Sequence, residues 1–121
     1  MNFYMCPICG NVIEMIDGDN ARMTCCGRKM ELLVAHTEDE GFEKHIPAYT
    51  VEDGRLRVQI GDVIHPMLDK HYIMFIAVVK GNKVTRIDLK PNEEPVAYFE
   101  YEEGSTIYEY CNIHGLWKKD L

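Results

Sequence analysis

The sequence predicts an all-β protein, with a small cysteine-rich metal-binding domain followed by an antiparallel β-sandwich of the immunoglobulin-like type. Two observations predict this arrangement. Four of the five cysteines lie within the first 26 residues. From about residue 37 the chain consists of short β-prone segments separated by turn residues, which is typical of sandwiches. The change in composition places the two domains at residues 1–36 and 37–121.

The N-terminal segment carries the ligand pattern of a metal site. A piece of fewer than about 40 residues rarely buries enough apolar surface to fold unaided, and usually needs a metal or a crosslink. Two cysteines separated by two residues can bind one ion, and a hairpin at Asp17-Gly18 is predicted to return an adjacent cysteine pair to it. Neighbouring Cα atoms, about 3.8 Å apart, are too close for the usual disulfide. The predicted tetrahedral ligands, to zinc or to iron, are Cys6, Cys9, Cys25 and Cys26.

The second region alternates in the manner of strands. In residues 55–60, Leu56, Val58 and Ile60 fall on one face. Residues 72–79 read as a strand buried on both faces, and residues 95–101 and 105–110 as aromatic-rich strands. Residues 38–44 are polar and brief enough for no more than a short helical turn. Turn signals separate the runs at Asp53-Gly54, Gly61-Asp62, Gly81-Asn82, Pro91-Asn92 and Glu103-Gly104.

Charge and hydropathy exclude several classes of partner. The net charge of −7 and the pI near 5.1 disfavour nucleic acid and anionic membrane surfaces. The longest apolar run, residues 72–79, is far shorter than the roughly 20 residues that a membrane span needs. The N-terminus has no secretory pattern, so we expect a cytoplasmic protein whose cysteines bind metal or react rather than form disulfides.

Four of the five histidines and the isolated Cys111 have settings that suit a second metal. Cys111 and His114 share one short loop after a predicted strand, His65 and His71 bracket a turn, and His45 precedes another strand. His36 lacks such a setting, and we expect it to face solvent. Four imidazoles and one thiolate suit a five-coordinate iron with one position open to a small molecule.

Two other functions fit the same residues. A blue-copper electron carrier uses two histidines, a cysteine and a weak axial methionine, but no methionine follows His114 and the nearest candidate is Met67. A zinc-stabilised binding module would leave the histidines incidental. Metal analysis separates the three alternatives, because they require iron, copper or a single zinc.

Taken in order, these motifs resemble those of the desulfoferrodoxins, the two-iron superoxide reductases. The resemblance runs from Tyr4 to Lys118 and includes every metal-binding motif. Its elements are Cys-x2-Cys-x15-Cys-Cys, Glu43-Lys44-His45-Ile46-Pro47, His65-Pro66-Met67-x3-His71 and Tyr110-Cys111-Asn112-Ile113-His114-Gly115-Leu116-Trp117.

The resemblance implies a desulforedoxin-like first domain and two iron ions per chain. One ion would lie in the four-cysteine site, where zinc is the alternative. The second, ferrous ion would have Cys111 as its axial thiolate and four histidines around it, namely His45, His65, His71 and His114. Superoxide would bind opposite Cys111, accept one electron and two protons and leave as hydrogen peroxide. A rubredoxin-like carrier would supply electrons to what the family suggests is a homodimer.

Two charged residues beside His45 complete this prediction. The resemblance implies that Glu43 can occupy the vacant position of the ferric ion. Lys44 is expected to attract superoxide, because screening at physiological salt limits each exposed charge to about 8 Å and leaves local groups to decide.

Overall fold

The computed structural model describes residues 2–18, 22–38 and 44–121. The chain forms two compact units, Met1–Val34 and Ala35–Leu121, which divide two residues before the boundary suggested by composition. The described residues are strands, turns and bends without a helix, so the all-β prediction is confirmed. None of them forms a helix with the length and hydropathy that a membrane crossing requires. Most of the helical turn predicted over residues 38–44 lies outside the described residues.

The first unit contains two small antiparallel sheets. One has the strand order β2-β1-β5 and the other pairs β3 with β4. The bounds are β1 Asn2–Met5, β2 Val12–Met15, β3 Thr24–Cys25, β4 Arg28–Lys29 and β5 Glu31–Leu32. The predicted hairpin at Asp17-Gly18 is wrong for the described residues, because β2 pairs with β1 rather than with β3. The chain instead reverses between β1 and β2, within the segment that carries the first two cysteines.

The second unit is a sandwich of two antiparallel sheets. The strand orders are β10-β7-β6 and β12-β11-β8-β9. The bounds are β6 Pro47–Glu52, β7 Arg55–Ile60, β8 Ile73–Lys80, β9 Lys83–Asp88, β10 Val96–Glu100, β11 Thr106–Cys111 and β12 Gly115–Asp120. The four strands predicted from the sequence are confirmed as β7, β8, β10 and β11, each within one residue of the predicted bounds.

One hydrophobic core lies between these two sheets. Leu56, Val58 and Ile60 of β7 are fully buried on the face that the alternation predicted. They pack in the same cluster as Ile73 and Ile76 of β8 and several residues of β10 and β11. Cys111, at the end of β11, belongs to this core as well. The core therefore extends to one of the predicted metal ligands.

Candidate metal centres

The four N-terminal cysteines converge on one point. Their sulfur atoms all lie within 4.8 Å of one another. Cys9 Sγ is 3.7 Å from Cys25 Sγ, which is 3.9 Å from Cys26 Sγ. Four sulfurs bound tetrahedrally at about 2.3 Å from one ion lie about 3.8 Å apart, so this group has the dimensions of a four-thiolate metal site.

Turns of the backbone build this site. The Gly10 N–H donates to the Cys6 carbonyl at 3.0 Å, and the Cys6 N–H donates to the Asn11 carbonyl at 2.9 Å. These bonds close a tight loop in which the Cys9 N–H lies 3.5 Å from Cys6 Sγ. Gly10 has a φ of +77°, which glycine adopts without strain. Cys26 has a φ of +54°, a left-handed backbone conformation that is uncommon for residues other than glycine.

The pKa values of the cysteine thiols differ because the thiols interact with one another and with the backbone. The Cys9 backbone N–H, the largest influence, lowers the pKa of Cys6 to about 6. The hydrogen bond with the Cys9 side chain is the main cause that raises the pKa of Cys26 to about 12. Closely spaced thiolates repel one another, so a divalent cation at their centre is the natural means of holding all four ionised.

The second group brings together the four histidines and the cysteine predicted for it. One donor atom from each of the five lies within 4.8 Å of all the others. The imidazoles form a closed ring in the order 45, 65, 71 and 114, and successive ring centroids are 4.5, 4.8, 5.0 and 4.8 Å apart. Cys111 is fully buried in the sandwich core, whereas His114 is exposed. The group therefore extends from the core to the surface.

The dimensions of this second group also fit a metal. His45 Nε2 and His65 Nε2 are 2.9 Å apart. Two nitrogens bound at right angles about 2.1 Å from one ion lie about 3.0 Å apart, and two on opposite sides about 4.2 Å. Cys111 Sγ is 3.8 Å from His65 Nε2 and 3.7 Å from His114 Nδ1. The thiol thus touches two of the histidine rings, each through a different ring nitrogen.

A hairpin places Cys111 and His114. Strands β11 and β12 are joined by residues 112–114, and Cys111 pairs with Gly115 across the turn. Gly115 has a φ of +89°, as expected where a three-residue hairpin loop returns to its strand. The register between β11 and β8 shifts between Tyr110 and Cys111, and such bulges redirect side chains at sites of this kind.

The loop after β7 presents His65. Gly61 opens the loop with a φ of +83°, and the His65 N–H donates to the Ile60 carbonyl at 3.1 Å. His65 Nδ1 is 2.8 Å from the Pro66 carbonyl oxygen, which can only accept, so Nδ1 carries the hydrogen. The neutral ring then offers its Nε2 lone pair to the site, as metal-binding histidines commonly do.

Asn112 holds His71 against the hairpin, and sequence reasoning missed this residue. Its side-chain oxygen accepts the Tyr72 N–H at 2.9 Å, and its side-chain nitrogen donates to the Lys70 carbonyl at 3.0 Å. Those two groups flank His71. The Asn112 side-chain amide therefore connects the Cys111 loop to the backbone on both sides of His71, a third candidate ligand. The sequence signal that could have identified Asn112 is its position between the two candidate ligands of the Cys-x2-His motif.

The remaining predicted residues have varied surroundings. Lys44 is partly buried directly before the buried His45. Glu43 lies outside the described residues. His36 is exposed, as expected, and its ring contacts Trp117 with centroids 4.6 Å apart. Met67 is buried in the core, and its sulfur accepts the Ile73 N–H at 3.3 Å.

Comparison with protein families gives two matches that together cover nearly the whole chain. Residues 37–120 match the model of the desulfoferrodoxin family, and residues 1–33 match that of the desulfoferrodoxin N-terminal domain. A desulfoferrodoxin homologue from Archaeoglobus fulgidus is 41% identical over 119 residues, which cover 98% of this chain and 95% of the relative. A superoxide reductase from Pyrococcus furiosus is 32% identical over 108 residues, covering 65% of this chain and 87% of the relative.

A solved structure gives the same fold. The superoxide reductase from Treponema pallidum superposes with a TM-score of 0.78, covering 98% of this chain and 96% of its own. Its sequence identity to this chain is 24%, so the likeness concerns the fold.

Proposed function

The chain belongs to the desulfoferrodoxin family, and from this premise we propose that it is a superoxide reductase with two iron ions per chain. The observation that carries the proposal is the closed ring of four imidazoles beside a buried thiol. Such a donor set fills five positions of one ion and leaves a sixth for substrate. In the reaction, superoxide takes up one electron and two protons and becomes hydrogen peroxide.

Ferrous iron bound by this group would supply the single electron that superoxide accepts. The protein's own contribution begins with charge. Four neutral imidazoles and the Cys111 thiolate would leave a divalent ion with a net charge of +1, which attracts an anion. Burial of Cys111 keeps its sulfur away from solvent. A buried thiolate would increase the electron density on the ion that it binds, an influence that thiolate ligands also exert in haem proteins.

Two neighbours of His45 are proposed to act on the substrate side. Lys44 is partly buried beside this ligand, and its charge would favour the approach of superoxide against the overall charge of −7. Glu43, whose family counterpart is a ligand of the ferric ion, is proposed to be a further carboxylate ligand that the oxidised site could take up. Glu43→Ala should then change the absorption of the oxidised centre without slowing the reduction of superoxide.

The four-cysteine site is proposed to hold the first iron, and zinc would fit the same sulfur geometry. We further infer a rubredoxin-like electron donor, a homodimeric assembly and a cytoplasmic location. The last of these fits cysteines that lie in two candidate metal-ligand groups, because a reducing compartment keeps thiols available to bind metal.

The alternative is an electron carrier with copper or iron and no substrate. A blue-copper site would need a weak axial ligand, for which the sequence offered Met67. That sulfur lies in the hydrophobic core, where one of its two lone pairs accepts the Ile73 N–H. This hydrogen bond competes with an axial bond to copper and so favours the five-ligand iron site.

Metal analysis combined with electron paramagnetic resonance of the purified protein tests the proposal. We expect two irons per chain, or one iron and one zinc, with the histidine-rich site occupied by iron. Since zinc can replace iron during heterologous expression, the protein should also be reconstituted anaerobically with ferrous iron. Copper in that site, or a single zinc and no iron after reconstitution, would contradict the proposal.

A further inference from the structure

Trp117, the chain's single tryptophan, contacts the histidine-rich site without contributing a donor atom to it. Its indole ring stacks on the His45 imidazole with a centroid separation of 4.6 Å and an interplanar angle of 12°. Its Nε1–H donates a hydrogen bond of 3.2 Å to the His114 carbonyl. One buried side chain therefore touches two of the five candidate ligands through two different interactions.

The indole ring also contacts the ring of His36. The two ring centroids are 4.6 Å apart, with an interplanar angle of 40°. The backbone of His36 is fixed at this position, because its N–H donates to the Leu116 carbonyl at 2.8 Å and its carbonyl accepts the Lys118 N–H at 3.0 Å. Backbone hydrogen bonds to the residues before and after Trp117 therefore hold His36 beside the indole. We name the three rings of His36, Trp117 and His45, of which Trp117 contacts the other two, the aromatic column.

We propose that Trp117 is a positioning residue for the metal centre and that His36 braces it from outside. The inference rests on the proposed metal site and goes beyond the superoxide chemistry. The stack fixes the plane of the His45 ring, and the indole N–H fixes the carbonyl of His114. Both ligands would then be aligned before metal arrives. Preorganised outer contacts of this kind raise metal affinity and set the geometry of a site.

This assignment gives His36 a purpose that the sequence did not reveal. In the sequence, His36 has no charged residue or metal-ligand motif beside it, which is typical of an ordinary surface histidine. Its ring contact with the indole, together with the two backbone bonds on either side, makes it the outer member of the aromatic column. The column joins an exposed residue to a ligand that is only 2% exposed.

The test measures Co(II) binding to the metal-free full-length protein by competition with a chelator. Cobalt bound at the four-cysteine site is subtracted by titrating in parallel a variant in which His65, His71 and His114 are all replaced by alanine. Trp117→Leu removes the stack and the hydrogen bond, and we expect about 10- to 100-fold weaker binding with an altered cobalt absorption spectrum. Trp117→Phe keeps a ring and loses the N–H, so we expect about fivefold weaker binding. His36→Ala should cost about threefold.

Phe99→Leu is the matched control, because Phe99 is also a buried aromatic residue of the sandwich but lies in β10. It should lower thermal stability and leave cobalt affinity and spectrum unchanged. The proposal is overturned if Trp117→Leu binds cobalt like the wild type, or if its loss of affinity is matched by Phe99→Leu. Should Trp117→Leu not fold, wild-type affinity and spectrum in both Trp117→Phe and His36→Ala would overturn it.

Tryptophan emission gives a second readout that does not depend on activity. Because Trp117 stacks on His45, cobalt entering the site should quench emission in the wild type and in Phe99→Leu. Quenching that persists unchanged when His65, His71 and His114 are all replaced by alanine would show that the emission reports the other site, and would count against the proposal. Failure of the wild type to reduce superoxide would overturn the proposed function and leave these binding results to judge the column.

Discussion

The two candidate metal centres obtain their geometry in opposite ways. The four-cysteine site takes its donors from two short segments of a unit whose sulfur-containing core cluster has three buried residues. The histidine-rich site takes its donors from three separate segments of a sandwich whose core cluster, among the described residues, has twelve buried members. In the first, we expect bound metal to contribute the stability that a small core cannot supply. In the second, we expect the fold to position the donors before metal binds.

Removal of metal should produce the largest difference in stability between the two regions. Chelation under reducing conditions is expected to unfold residues 1–34 and to leave the sandwich folded, since a domain this small commonly depends on its metal. Amide hydrogen exchange measures this directly. Protection should vanish in β1 and β2 and persist in β8 and β11. Equal loss of protection in both regions would contradict the comparison, as would full protection in both.

Gly61→Ala tests whether the sandwich prepares the site. A Cβ at this position would lie 2.6 Å from the Lys44 carbonyl oxygen and 2.4 Å from that of Val63, and φ is +83°. Backbone strain and overpacking together should lower the free energy of unfolding by about 2–4 kcal/mol. Denaturant titration measures this loss.

Gly54→Ala provides the control for Gly61→Ala. Its φ is +75°, but nothing lies within 4 Å of the added Cβ. It should therefore carry only the conformational strain, about 1 kcal/mol. Equal losses in the two variants would show that the close packing of the Gly61 loop against Lys44 has no energetic consequence.

Asn112→Ala should weaken metal binding while sparing the fold. The variant loses both hydrogen bonds to the backbone around His71, so we expect about 10- to 100-fold weaker binding at the histidine-rich site. Chelator competition measures the affinity. Asn82→Ala, in the turn between β8 and β9, is the control and should bind metal normally. An unchanged affinity for Asn112→Ala would mean that His71 is held by other contacts.

Lys44→Ala has the smallest expected effect. A unit charge about 6 Å from the substrate is worth about 0.7 kcal/mol in a water-like dielectric, and Lys44 is only partly buried. We therefore expect about a threefold slower reaction with superoxide and a weaker dependence on ionic strength. Pulse radiolysis measures both. Lys83→Ala should change neither, because Lys83 pairs with Glu102. Identical rates and salt slopes for Lys44→Ala and the wild type would leave Lys44 a surface charge.

Local patterns in the sequence predicted the strands that build the core. Alternation identified β7, and the apolar run of residues 72–79 identified β8. In both strands, the pattern of apolar residues along the sequence follows the pattern of buried positions. The strand predicted after His45, without stated bounds, is β6, whereas β9 and β12 were not predicted. Most residues of β6 and β9 are exposed, so their sequences lack the apolar alternation that marks a buried face.

Spacing predicted which donors come together, but not what holds them. The Cys-x2-Cys and Cys-x2-His pairs are local, and their turns follow from a few residues. The contacts of Asn112 and Trp117 depend on register between β11, β12 and the loop near His71, which no short motif records. The failed hairpin at Asp17-Gly18 has the same cause, since a turn signal does not specify the partner of the strand that follows.

The yield of peroxide per superoxide consumed tests the central claim most directly. Protein reconstituted with ferrous iron and supplied with a reduced electron donor should form one hydrogen peroxide for each superoxide and release no dioxygen. Dismutation would form one peroxide for every two superoxide anions and release dioxygen. That ratio, or no consumption of superoxide by the iron-loaded protein, would contradict the account.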